Sequence, residues 1–126
     1  MRKIQTLCVN EAVRLDQAHI IALYAELGQI NAEAFLACAM EDIAVHIATV
    51  ASAATTHSPE ELLRAVRAIE MLSRPVGLEA VARVARDVIT CFEANDPIAL
   101  SATVQRLLRI GDHSLPAIWD GADLSG

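Results

Sequence analysis

Residues 62–87 read LLRAVRAIEMLSRPVGLEAVARVARD. In both halves of the stretch apolar side chains recur every third or fourth position, the spacing that gathers them on one side of an α-helix. Between the halves stands Arg-Pro-Val-Gly. Pro75 biases Arg74 away from helical geometry and Gly77 supplies a flexible corner, so the stretch reads as helix, break, helix. On the first helix, Leu62, Val66, Ile69 and Ser73 fall on one side, the expected core face. Glu60, Arg64, Arg67, Met71 and Arg74 share another, which puts Arg67 in the middle of an expected outer face.

Just upstream, SPEE at 58–61 gives that helix its start: Ser58 as N-cap, Pro59 at the first position, and Glu61 closing a capping box. It is predicted to run to about Ser73. Two helices precede it. One spans roughly Glu11 to Leu27, with Asn10 as N-cap and Gly28 as its stop; the next runs from Asn31, its N-cap, to about Ala54. Leu36, Met40, Ile43, Ile47 and Val50 form the apolar stripe of the latter. Downstream, a fourth helix covers about Leu78 to Ala94. Asp96 and Pro97 then start a fifth that ends near Ile110, closed by Gly111 and Pro116, and the tail AIWDGADLSG is expected either to hold one short turn that docks Trp119 or to fray. No alternating apolar–polar run flanks an Asn-Gly or Asp-Gly turn, so no hairpin is expected. Short connections between long helices favour antiparallel neighbours. The expected fold is all-α, an up-and-down antiparallel four-helix bundle with an additional N-terminal helix, forming one domain over residues 1–126.

Composition agrees. Of the 126 residues 54% are hydrophobic and only 3% aromatic, so the core is to be built from Ala, Leu, Val and Ile, which suits close-packed helices. A mean hydropathy of +0.38 implies helices buried nearly all round, or an apolar face of the first or second helix that meets a second copy in a homodimer. Cys8, Cys38 and Cys91 have no CxxC or Cys/His spacing and read as reduced thiols of a cytoplasmic protein. MRKIQTLCVN has no sustained apolar segment or cleavage site, which argues against secretion. The most apolar run, AFLACAMEDIAVHIATVASAA, is interrupted by Glu41, Asp42 and His46 and reads as a core helix, with no membrane partner expected.

The formal net charge of −6 is unevenly spread. Between Leu15 and Leu63 there is no Lys or Arg, while seven arginines fall between Arg64 and Arg109 against five acids. An acidic chain so poor in aromatics does not suit nucleic acid. A local basic patch that meets an acidic protein surface does fit.

Residues 31–115, about two thirds of the chain, carry an ordered set of features. The acidic-apolar helix AMEDIAVHIATVASA is followed by SPEELLRAVRAI, a corner at Gly77, and GLEAVARVARDVITCFEANDPIALSATVQRLL. In order and spacing this resembles the histidine phosphotransfer (HPt) family. Its members show x-x-A-H-x-L-K-G before a glycine corner, and both the corner and the turn LLRAV place the phosphoacceptor position at Arg67. The family's His, Lys and Gly positions hold Arg67, Glu70 and Met71. Arginine stays protonated and delocalised and offers no nucleophilic nitrogen; Glu70 repels a phosphoryl group and Met71 crowds it. The resemblance thus implies a bacterial-type module that has lost phosphotransfer and docks a receiver (response-regulator) domain. Its contacts would be Arg64, Arg67, Glu70, Arg74 and Arg83, with Arg86 extending the patch. The plainer reading of the same face is a solvated surface with weak Glu60–Arg64 and Glu70–Arg74 pairs.

Other chemistry finds less support. Asp42 and His46, four apart on one helix, are weak ligand or metal candidates, since a di-iron bundle wants Glu-x-x-His and Ile43 stands three before His46. His19 reads as a flanking residue of the core, His57 as a loop residue, and His113 as a helix-end residue. Glu41 and Asp42 point about 100° apart and form no acid–base pair. No G-x-S-x-G, P-loop or G-x-G-x-x-G occurs, so neither an enzyme nor a cofactor or metal is expected. The alternative is a dimeric helical bundle that binds a small molecule or metal between helices, around Tyr24, Asp42 and His46.

Overall fold

Gly28 decides how the chain enters its longest core helix. In the computed structural model, which describes the backbone of residues 17–125 and the side chains of 18–112, this glycine alone separates α1 (Gln17–Leu27) from α2 (Gln29–Thr56). Its φ of 83° is left-handed geometry that glycine adopts without steric cost. Its N–H donates to the Tyr24 carbonyl at 2.8 Å and its carbonyl accepts from Ala32 N at 2.9 Å. One residue therefore ends one helix and starts the next. Asn31 is not the N-cap: it lies inside α2 and its Nδ2 donates back to the Leu27 carbonyl at 3.2 Å. Asn10 and residues 11–16 of the expected first helix lie outside the described residues.

The later boundaries follow the sequence more closely. α2 ends at His57, which is left-handed (φ 56°, ψ 51°), and α3 (Pro59–Ser73) starts with Ser58 and Pro59 in the expected places. The capping box is not formed. Ser58 accepts from Leu62 N at 3.0 Å through its carbonyl, but its hydroxyl makes no cap bond. The Ser58 N–H, which the Glu61 carboxylate would accept from in a capping box, donates instead to the Ala53 carbonyl at 3.0 Å across the left-handed turn at His57. After Ser73 the chain makes a 3₁₀ turn (Arg74–Val76) and a corner at Gly77, φ 80°, before α4 (Glu79–Glu93). Asp96 then caps α5 (Pro97–Ser125), its Oδ1 accepting from Ala99 N at 3.1 Å.

α5 does not stop at Ile110. The helix continues through Gly111 and Pro116 to Ser125, so the expected stop and the separate tail turn are both replaced by helix; the Trp119 side chain lies outside the described ones. Gly111 has a packing role instead. It is buried against α2, and a methyl group placed on it would overlap the tip of Ile47. Gly111→Ala is expected to be nearly neutral, because the clash is with a movable side-chain tip and alanine gains about 1 kcal/mol of helix propensity. Gly111→Leu is expected to push α2 and α5 apart and cost about 2–3 kcal/mol in urea unfolding. Equal stability of the two variants would mean that the helices do not approach closely there.

Among the described residues the protein is all-helical, with no strand. α2 packs on α3, α3 on α4, α4 on α5, and α5 back on α2. Leu36, Met40, Ile43, Ile47 and Val50 of α2 are all buried, as are Leu62, Val66, Ile69 and Ser73 of α3. Val81, Val84, Val88 and Ile89 from α4 and Val104, Leu107 and Ile110 from α5 complete the core. α1 lies against α2 and the 3₁₀ turn, with Ile20, Leu23 and Tyr24 on the core and His19 Nε2 at the Pro75 carbonyl. By length and composition alone α2 is long and apolar enough to cross a membrane, yet only 33% of its most apolar window is buried in the fold. The high mean hydropathy therefore has two sources, a tight core and an uncovered face of α2.

Candidate functional site

The expected outer face of α3 is exposed along its length: Glu60, Arg64, Arg67, Met71 and Arg74 all reach solvent, and Arg83 and Arg86 do so from α4. Arg67 stands near the middle of α3 with its side chain 51% exposed, opposite the buried Ile69 side. Met71, one turn on, is among the most exposed large apolar side chains of the protein.

Glu70 organises the charges around them. Its side chain is only 19% exposed, because it lies between two guanidinium groups. One carboxylate oxygen is 3.4 Å from Arg74 Nη2 and the other 3.8 Å from Arg86 Nη1, so the residue links α3 to α4. Arg74 reaches on to Glu79 at 3.3 Å, and Arg67 lies 3.7 Å from Glu93 at the far end of α4. The result is a ladder of alternating charge across the α3–α4 seam. Each exposed rung is worth only about 0–1 kcal/mol, so the ladder fixes geometry more than it stabilises the fold. Among the described residues Arg64 and Arg83 are exposed and form no ion pair. The Glu70–Arg74 pair expected from the four-residue spacing is present, and among the described residues Glu60 and Arg64 form none.

Asp42 is exposed and His46 half-buried on α2, whereas Tyr24 belongs to α1. The Tyr24 hydroxyl and the Ser73 hydroxyl are buried without a hydrogen-bond partner among the described residues. Among the described residues no three His, Cys, Asp or Glu side chains come together as a metal site. A cleft of about 570 Å³ lies elsewhere, where the end of α2 and the start of α3 face the first turns of α5. Leu62, Leu100 and Val104 form its apolar wall, and His57, Ser101 and Gln105 are among its polar groups. Its walls join the α2–α3 corner to the start of α5, some forty residues further along the chain, and no local motif announces that meeting. No protein-family model, no curated protein and no solved structure matches this chain.

Proposed function

We propose that the chain is a non-catalytic, HPt-like interaction module that docks a receiver domain, or a similarly acidic protein surface, through the α3–α4 face. On this reading α2 to α5 form an up-and-down antiparallel four-helix bundle and α1 is the added N-terminal helix. The cyclic order of packing supports it. The observation that carries it is the placement of Arg67: outward, mid-helix, beside an exposed Met71, with the core on the opposite side. A guanidinium there attracts carboxylates and forms no phosphoramidate. Arg64 and Arg83 supply spare positive charge for a receiver's carboxylate-rich pocket, and Met71 supplies an adaptable apolar contact. A bacterial cytoplasmic setting belongs to the same reading. The cleft at the α2–α3 corner favours a second one, a small apolar ligand held between helix ends, since its volume lies in the range of ligand pockets.

Titration of purified receiver domains tests the first reading. The expected result is a complex that weakens as salt rises, with Arg67→Glu and Arg64→Glu each lowering affinity about tenfold. Incubation with a phosphorylated receiver is expected to leave no acid-labile label on the native chain. A receiver that binds the native chain and both variants alike would show the face to be only solvated.

A further inference from the structure

We propose a second docking surface, independent of the α3–α4 face: the outward side of α2, fitted to an amphipathic partner helix that flanks its apolar stripe with Lys or Arg. α2 has two apolar sides, and the core covers one of them. On the other, Ile30 is 82% and Val45 62% exposed. Ala34, Cys38 and Ala48 are exposed in the same helical register, so the stripe runs about 27 Å along the helix. A helix face meant for water carries Lys and Glu in quantity. This one has a single acid in the stripe, Glu41, with Asp42 and Glu33 beside it and no Lys or Arg anywhere from residue 15 to 63.

Those features select the occupant. The small side chains at 34, 38 and 48 let another helix approach closely, with Ile30 and Val45 standing as knobs near the two ends. The carboxylates are left to pair with cations that the partner must bring. A second copy joined through this same patch would set Glu33, Glu41 and Asp42 against themselves, because a two-fold interface is self-complementary and this patch has no positive charge to offer. A bilayer is disfavoured by the exposed Glu41 and Asp42 at mid-helix and by the negative charge of cytoplasmic leaflets. A basic amphipathic helix satisfies both the apolar and the charged part of the surface.

The test uses the full chain and two synthetic helical peptides of about 18 residues, matched to the stripe. Both carry leucine at helical spacing, one flanked by lysine and the other by glutamate. Amide chemical shifts and the dissociation constant are followed together. The lysine peptide is expected to bind at least about tenfold more tightly than the glutamate one, with shifts centred on residues 30–48. Glu41→Lys and Val45→Ser should each weaken it about tenfold, while Arg67→Glu leaves it unchanged. Val45 is exposed, so neither the fold nor the α3–α4 face depends on it. Three results would overturn the proposal: equal binding of the two peptides or shifts on another face, a homodimer in sedimentation that Val45→Ser dissociates, or binding to anionic vesicles that Val45→Ser abolishes. The second would assign the surface to another copy and the third to a membrane.

Discussion

A chain carrying Ile69→Asp is expected to be unfolded in plain buffer, whereas one carrying Arg67→Asp keeps its helical circular dichroism and its unfolding free energy in urea to within about 1 kcal/mol. The two positions are neighbours but one on α3, and they point to nearly opposite sides of the helix. Ile69 has no exposed surface and packs among the core residues of the other helices. Removing it forfeits about 2–5 kcal/mol of burial and packing, and a carboxylate left there without a partner adds several more. Domains of this size have only about 5–15 kcal/mol in total. Arg67 is half exposed and its one described ion pair, to Glu93 at 3.7 Å, spans solvent, so losing it costs little. Two variants that were equally tolerated, or equally destructive, would mean that α3 is turned about its axis. Arg67 would then not face a partner.

That pair of positions also marks what the sequence made legible. The faces of α3 and α4 were readable because Pro75 and Gly77 are unambiguous breaks and the apolar spacing between them has the helical period. Gly28 and Asp96 were readable as helix ends for the same local reason. Gly111 was not. A glycine in a helical run signals either a stop or a close approach by another helix, and only Ile47, distant in sequence, resolves it. Asn31 failed as a cap because the helix already starts at Gln29, directly after Gly28, which places Asn31 inside the first turn. The Ser58–Glu61 box failed because the Ser58 N–H donates instead to the Ala53 carbonyl across the left-handed turn at His57. Charge pairing shows the same division. Spacing along one helix finds Glu70–Arg74, but Glu70–Arg86 and Arg67–Glu93 depend on how α3 and α4 are set side by side. The cleft, built from three helix ends, had no local signature at all.

The proposed relation to phosphotransfer proteins makes a demand that a solvated face does not: restoring the missing chemistry should restore the reaction. The variant R67H/E70K/M71G is expected to take an acid-labile phosphoryl group from a phosphorylated receiver that the native chain binds, while the native chain takes none. In that step the imidazole nitrogen introduced at position 67 attacks phosphorus. The P–O bond to the receiver's aspartyl carboxylate breaks, and the carboxylate leaves as a P–N bond forms. R67H alone is expected to accept little, because Glu70 would keep a negative charge one turn away, held in place by Arg74 and Arg86. Reversing that charge removes both pairs and sets three cations together, which repels the protein but suits a phosphoryl group. Glycine at position 71 costs about 1 kcal/mol of helix propensity and clears the space that the exposed Met71 side chain fills. Circular dichroism separates a misfolded variant from an inert one. If the triple variant is folded and still binds the receiver but stays unlabelled, position 67 is not where a phosphoacceptor stands in this fold. The Arg-rich face would then need an explanation unrelated to phosphorelay.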